Sequence, residues 1–282
     1  MKILCPCPEL FSYKALNLLK KSRLLKCNFV NMSQVEFDRL YFLYDAILTR
    51  FNHKIKFNKR IKYIISPTTG LDHIDDKFFK TKTKVISLYR DTKFLEKVHA
   101  TSEFTIYLIL NEIRSHGNKF ELNNEIYNKK IGIIGYGRVG KKVSRVLKSM
   151  GAKIFFYDKK FRNMSLNNIF KNCDIISLHI PLRNNKNYIN KSHFQLMNKN
   201  SILVNTSRGD IVNEKQLMNF LKNKKFKYLT DVVGKFLDSK IKKNEKLTNF
   251  HYSKHVAGLT RESVEKTDLR VVGKFLKYIN YV

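Results

Sequence analysis

Lys129-Lys130-Ile131-Gly132-Ile133-Ile134-Gly135-Tyr136-Gly137-Arg138-Val139-Gly140 is the stretch that decides the fold. An isoleucine-rich run, then G-x-G-x-x-G, then basic and apolar residues at helical spacing to Met150, predicts a strand, a tight glycine turn and a helix. Such a unit suits a dinucleotide: Gly135 makes the turn, Gly137 lets the backbone approach a pyrophosphate, and Gly140 lets helix and strand pack closely. Tyr136, Arg138 and Val139 complete the turn, and the helix that follows offers free amides and a partial positive charge to phosphates. Ala152-Lys153-Ile154-Phe155-Phe156-Tyr157-Asp158 supplies the second strand. Its terminal carboxylate falls about 20 residues on, where a ribose hydroxyl needs an acceptor. A glycine turn that serves only the fold is the alternative, and the strand, helix and acid in place argue against it.

The strand-and-helix rhythm continues on both sides. Upstream, Met1–Leu4, Cys27–Val30, Asp45–Thr49, Ile61–Ile65 and Val85–Leu88 are expected strands, and Phe11–Lys21 an expected helix. This repetition implies a parallel sheet covered on both faces, with functional loops at its C-terminal edge, here Thr49-Arg50 and Ser66-Pro67-Thr68-Thr69-Gly70. A long crossover helix, Val98 to Arg114, with an apolar stripe of Ala100, Phe104, Leu108 and Ile109, is followed by the polar stretch Ser115 to Asn128. Downstream come an expected helix near Ser165–Cys173, a strand Asp174–Ile180 stopped by Pro181, a helical segment Ser192–Met197, and a strand Ile202–Asn205 with its loop Thr206-Ser207-Arg208-Gly209-Asp210. A helix from Asn213, with Gln216 placed to return a capping bond, precedes an expected strand Tyr228–Val233. After it come a ragged lysine-rich loop, a strand ending at His255, and a last helix, Arg261–Ile279, expected to dock on the first domain.

The length of 282 residues fits two ordinary domains. No apolar run approaches the roughly 20 residues of a spanning helix, and the apolar stretch before Pro6 is too short for a secretory signal. A cytoplasmic protein without membrane attachment is expected. Cys5, Cys7, Cys27 and Cys173 lack paired spacing and clustered histidines, which argues against a metal site and a disulfide framework. Cys5-Pro6-Cys7 reads as a strand end and a proline loop. The net charge of +32 attracts polyanions. It is mostly lysine, spread along the whole chain beside abundant asparagine, and no basic run is interleaved with aromatics. Composition bias therefore accounts for it, with salt-dependent nonspecific binding but no specific nucleic-acid partner expected.

Five motifs occur in order: Ser66-Pro67-Thr68-Thr69-Gly70-Leu71-Asp72-His73-Ile74-Asp75, the glycine segment, Leu178-His179-Ile180-Pro181-Leu182, Val204-Asn205-Thr206-Ser207-Arg208-Gly209, and His255-Val256-Ala257-Gly258. Together they resemble the D-isomer-specific 2-hydroxyacid dehydrogenases, phosphoglycerate dehydrogenase-like members above all. The resemblance implies an α/β protein of two doubly wound parallel-sheet domains, a Rossmann NAD domain (98–260) inserted in a smaller flavodoxin-like substrate domain (1–97, completed by 261–282). It implies a homodimer, through the helix around Thr101 to Arg114, acting on a small 2-keto or 2-hydroxy acid. By the same resemblance Arg208 holds the substrate's carboxylate and carbonyl, His255 is the acid/base, and Asp231 accepts from the nicotinamide carboxamide. Thr69 and Gly70 anchor the substrate carboxylate through their amides, with Arg50 on a neighbouring loop to assist. His179, Pro181, Thr206, Ser207 and Gly258 join Gly135–Gly140 and Asp158 around the cofactor. A carboxylate at Asp158 favours NAD over NADP, although Lys159, Lys160 and Arg162 offer charges to a further phosphate.

One departure stands out. The family has a glutamate just after the Asp-Val pair that bonds the histidine and raises its pKa. Counting along Asp231-Val232-Val233-Gly234-Lys235-Phe236 places Phe236 there. Asp238 or Glu245 are the carboxylates left to replace it, and Asp238 is taken as the third catalytic residue. Lys254 stands where the family has a proline before the histidine, and its charge would lower the imidazole pKa further. Impaired catalysis, with the protein kept as an NAD-binding sensor or scaffold, is the alternative reading.

Overall fold

The computed structural model describes residues 1–114, 122–243 and 247–280. Glu245 and the first half of the polar stretch from Ser115 thus lie outside the described residues. The chain divides into two compact units, one of residues 1–98 and 259–282, the other of residues 99–258.

The first unit is built on β1 (Lys2–Cys5), β2 (Lys26–Phe29), β3 (Ala46–Leu48), β4 (Tyr63–Ser66) and β5 (Lys84–Ser87). They are all parallel, in the order β2-β1-β3-β4-β5. Helix α1 (Tyr13–Lys21) connects β1 to β2 and α2 (Gln34–Leu40) connects β2 to β3, while α3 (Thr92–Leu95) follows β5. The central strands are buried on both faces, which is why they read as continuous apolar runs. Helix α2 escapes the periodicity reading because it is short, but its start is marked by a capping box between Ser33 and Glu36.

The second unit opens with α4 (Ala100–Ile113), whose buried face is Ala100, Ser102, Thr105, Ile109 and Ile113, with Phe104 and Leu108 only half-buried. Two small hydroxyl residues thus take places that apolar counting gave to larger neighbours. The sheet follows, with β6 (Lys130–Ile134), α5 (Arg138–Ser149), β7 (Lys153–Tyr157), α6 (Leu166–Asn172), β8 (Ile175–Leu178), α7 (Lys191–Leu196) and β9 (Ile202–Asn205). It ends with α8 (Glu214–Lys222), β10 (Lys227–Thr230), α9 (Lys235–Lys242) and β11 (Phe250–Tyr252). All strands are parallel in the order β11-β10-β9-β8-β6-β7, so the winding reverses beside β6. Ligands of such sheets bind outside the strand ends at that reversal.

Three local expectations change. The lysine-rich stretch after β10 is the helix α9, because the buried carboxylate of Glu214 accepts from Gly234 N at 2.5 Å and Leu237 N at 3.0 Å and caps its start. The Asn213 side chain does accept from Gln216 N, but Gln216 Oε1 accepts from Lys191 N at 2.8 Å and ties α7 to α8 instead of returning the bond. The last strand ends at Tyr252, so His255 sits on a loop.

The last helix, α10 (Arg261–Asn280), packs Val271, Val272 and Phe275 into the first unit's core with Ile3, Ala15, Leu19 and Leu48. Asp91 binds it through Arg270 Nε at 2.8 Å and Lys274 Nζ at 2.7 Å, and these charges hold the Asp91 carboxyl at about 2. Arg50, expected to reach a substrate, is turned inward and only 4% exposed. Its guanidinium pairs with Asp268 of α10, donates from Nε to Leu10 O at 3.0 Å, and lies over the Phe11 ring. Arg50 is thereby a scaffold residue, because α10 brings a buried carboxylate to the end of β3. Asp268 also accepts from Ser12 N at 2.7 Å, and burial pushes its carboxyl up to about 6 against the pull of Arg50. Among the described residues no helix is long and apolar enough to cross a membrane.

Removing one partner of a buried pair leaves the other charge uncompensated. Asp268→Ala is expected to destabilise the protein by about 3–5 kcal/mol in urea unfolding; a loss below about 1 kcal/mol, the scale of an exposed pair, would contradict a structural Arg50.

Candidate active site

Strand registers in the second unit place Tyr157, Ile134, Leu178, Asn205, Thr230 and Tyr252 in one row across the sheet. The next residue on each strand is Asp158, Gly135, His179, Thr206, Asp231 and Ser253. Most of the residues singled out from the sequence therefore leave the sheet along one edge, on both sides of the reversal beside β6.

The glycine turn has the shape a pyrophosphate needs. Gly135 has φ +93°, and a Cβ there would lie 2.6 Å from the His179 carbonyl; a Cβ on Gly140 would lie 2.2 Å from Gly135 O. A Cβ on Gly137 would meet no atom within 4 Å, so the space before the N-terminus of α5 is open. Arg138 opens that helix, while the Tyr136 ring stacks on Phe156 at 4.1 Å and Val139 packs against the core. Asp158 Oδ2 accepts from Tyr136 N at 2.9 Å, which sets the carboxylate at the mouth of the turn. The Arg162 guanidinium lies over the Tyr157 ring, and Lys160 N donates to Asp158 Oδ1. Burial lowers the His179 pKa to about 4, so the ring is neutral, with Nε2 2.9 Å from Ser177 Oγ. The Pro181 carbonyl accepts from the buried Asn185. These residues fit NAD.

Two buried side chains at the sheet edge shape the loops beside it. Asn205 Oδ1 accepts from Ser207 N at 3.0 Å and Ser207 Oγ at 2.7 Å, and its Nδ2 donates to Arg208 O at 2.9 Å. Thr206 Oγ1 bonds Thr105 Oγ1 of α4 at 2.8 Å. The hydroxyls of Thr206 and Ser207 thus build the turn that presents Arg208. A Cβ on Gly209 would strike the backbone of Val233 and Gly234, so glycine after Arg208 lets this turn rest against the start of α9.

Asp231 does the same for His255. Its carboxylate accepts from Ser253 Oγ at 2.6 Å, Val256 N at 2.8 Å and Ala257 N at 2.8 Å, and its carbonyl accepts from His255 N at 2.9 Å. His255 has φ +57°, a left-handed conformation that a histidine holds only when its surroundings enforce it. Asp231, expected to face a carboxamide, is 1% exposed and anchors this loop. The charge of Arg208 reaches His255: burial first, then Arg208, lowers the imidazole pKa, and Asp231 opposes them. Lys254, beside it, is exposed.

Asp238 belongs elsewhere. It pairs with Lys242 on the exposed face of α9, at 2.7 Å, because that helix carries it away from the 253–257 loop. Phe236, where the resemblance leads one to expect a glutamate, packs against the apolar core. In the first unit, Thr69 is exposed and Gly70 half-buried after β4, and the Thr68 hydroxyl, bonded to Ser66 Oγ at 2.9 Å and Gly70 O at 2.8 Å, shapes their turn. A Cβ on Gly258 would meet no atom within 4 Å. Among the described residues no group of three His, Cys, Asp or Glu is spaced for a metal ion. Asn205 and Glu214 escaped the sequence reading; the only signal is their place beside the N-T-S-R-G and Asn213 motifs.

Residues 85–257 match the model of the D-isomer specific 2-hydroxyacid dehydrogenase, NAD binding domain. The chain belongs to this family. Similar members of the D-2-hydroxyacid dehydrogenases include the erythronate-4-phosphate dehydrogenase of Wigglesworthia glossinidia brevipalpis, 31% identical over 80% of this chain and 59% of its own length. The D-3-phosphoglycerate dehydrogenase of Haemophilus influenzae is 31% identical over 55% of this chain and 42% of its own. The chain thus spans less than two thirds of either relative. The fold is that of the NAD+-bound 3-phosphoglycerate dehydrogenase of Entamoeba histolytica, at a TM-score of 0.81 with 21% identity, covering 99% of this chain and 95% of the other.

Because Gly137 is in extended backbone with open space before it, Gly137→Ala is expected to fold with a stability change under about 1 kcal/mol. The same change is expected to weaken NADH binding about tenfold or more, or roughly 1.4 kcal/mol. Unchanged affinity in a fluorescence titration would contradict a pyrophosphate at this turn.

Proposed function

We propose that the protein is an NAD-dependent oxidoreductase interconverting a D-2-hydroxy acid and its 2-keto acid, with a phosphorylated acid of the 4-phosphoerythronate type as substrate. The observation that carries the reaction is the pairing of Arg208 and His255 on adjoining loops of one sheet edge, close enough for one charge to shift the other's pKa. The substrate class rests on the three relatives called erythronate-4-phosphate dehydrogenase, each similar over 80–83% of this chain. NAD, when bound, accepts or returns the hydride at the substrate's C2. Asp158 takes its ribose hydroxyls and repels the additional phosphate of NADP. The planar guanidinium of Arg208 donates two parallel hydrogen bonds to the carboxylate and carbonyl oxygens. His255 gives its proton to the keto oxygen in reduction and takes one from the hydroxyl in oxidation.

The pKa of His255 decides the favoured direction. Burial and Arg208 hold it below the ordinary histidine value of about 6.5. At neutral pH the ring is then mostly the unprotonated base that oxidation of the hydroxy acid needs. We place this activity in the cytoplasm, in a homodimer pairing through α4, where Tyr107 is 56% exposed.

A second reading, an NAD-binding protein without efficient turnover, draws on Phe236 and on the pairing of Asp238 with Lys242. Assays of NADH oxidation with 2-keto acids, with and without phosphate, separate the two. The dehydrogenase predicts turnover that falls as pH rises past a midpoint below about 6.5, and an Arg208→Ala variant reduced in kcat/KM on the order of 100-fold or more. NADH binding without turnover of any acid would favour the second reading; turnover that the variant keeps would contradict the role of Arg208.

A further inference from the structure

The Cys5-Pro6-Cys7 motif folds into a cluster that the dehydrogenase chemistry leaves unused. Cys5 ends β1 and Cys7 follows across Pro6; both thiols are free and buried in one apolar cluster, at 0% and 2% exposure. Against Cys7 lies the imidazole of His53, from the loop after β3, itself 5% exposed. His53 Nε2 donates to Met32 O at 2.8 Å, which places the ring proton on that nitrogen and the lone pair on Nδ1. Nδ1 is buried with no hydrogen-bond partner, a costly arrangement unless a proton is shared with the neighbouring sulfur. Met32, whose carbonyl takes the Nε2 bond, donates its own amide to Pro6 O at 3.0 Å, which sets the His53 ring beside the Cys5-Pro6-Cys7 turn.

The four cysteines differ sharply in consequence. Cys5, then His53 and the Arg50 amide, lower the Cys7 pKa to about 5 against burial, while Cys7 and the Met32 carbonyl raise that of His53 against its burial. Burial pushes Cys5 and Cys27 up, and Cys173 up to about 12. Two free thiols two residues apart, one of them beside a buried imidazole with an unpartnered nitrogen, have the form of a nucleophile with its resolving partner.

We propose that Cys5 and Cys7 are an oxidisable dithiol, in which Cys7, its proton held by His53, attacks a peroxide and Cys5 then closes a Cys5–Cys7 disulfide. In the first step the Cys7 S–O bond forms and the O–O bond breaks, and the departing hydroxide takes the His53 proton to leave as water. In the second, the Cys5 sulfur attacks the Cys7 sulfur, the S–O bond breaks, and the thiol proton of Cys5 leaves with the hydroxide as a second water. The two thiols lose two electrons and the peroxide is reduced. Burial limits the oxidant to a molecule near the size of water and excludes bulky disulfides.

The test is oxidation of the full-length protein by hydrogen peroxide, followed by alkylation under denaturing conditions, trypsin digestion and mass spectrometry. One peptide, Ile3 to Lys14, holds both cysteines and is expected to lose two hydrogens before Cys27 or Cys173 reacts. Cys5→Ser is expected to leave a sulfenic acid on Cys7 that dimedone traps, and His53→Asn to slow the reaction about tenfold. Oxidation of the more exposed Cys27 ahead of the Ile3–Lys14 peptide would overturn the proposal, as would a Cys5→Ser protein in which dimedone labels nothing at Cys7.

Discussion

The site depends on the carboxylate of Asp231. Placed one residue beyond β10, it collects the Ser253 hydroxyl and the amides of Val256 and Ala257, and its own carbonyl takes the amide of His255. Four bonds from one residue enforce a backbone conformation that histidine otherwise avoids. Asn205, paired in register with Thr230 on the neighbouring strand, does the same for the turn that carries Arg208. Thr230 Oγ1 links the two, lying 2.9 Å from Asn205 O and 2.6 Å from Val232 O, with one proton to share between them. A guanidinium and an imidazole are thus positioned from adjacent strand ends by buried polar side chains, and the registered sheet sets the spacing.

This arrangement gives the imidazole an unusual environment for a proton carrier. Its neighbours in charge are a cation and a carboxylate already engaged with backbone and hydroxyl donors. The capping bonds of Glu214 start α9 where Phe236 turns into the core and Asp238 turns out to Lys242. Under the proposed dehydrogenase chemistry, His255 is then a base suited to oxidation near neutral pH more than a stored proton.

Much of this was legible in the sequence, for a physical reason: each legible part is local. The glycine turn is specified by three residues and their neighbours, and Asp158 follows at the reach of one βαβ unit. Parallel strands buried on both faces announce themselves as apolar runs, and the N-T-S-R-G loop is read from the strand before it. What stayed hidden depends on contacts between distant segments. Arg50 looks like a loop cation until α10, more than two hundred residues later, brings Asp268 against it. Helix α9 looks like a charged loop because its start is capped by Glu214, twenty residues earlier. The roles of Asp231 and His53 likewise rest on partners that no spacing rule connects.

The most direct measurement is the titration of His255 itself, by NMR of the imidazole ring protons, with a His255→Gln protein to assign its signal among the eight histidines. A midpoint below about 6.5, the unperturbed value, is predicted, because burial and Arg208 outweigh Asp231. A midpoint above about 7 would mean that a carboxylate outweighs burial and Arg208 at the ring, and the account of an imidazole held below its ordinary value by those two would fall.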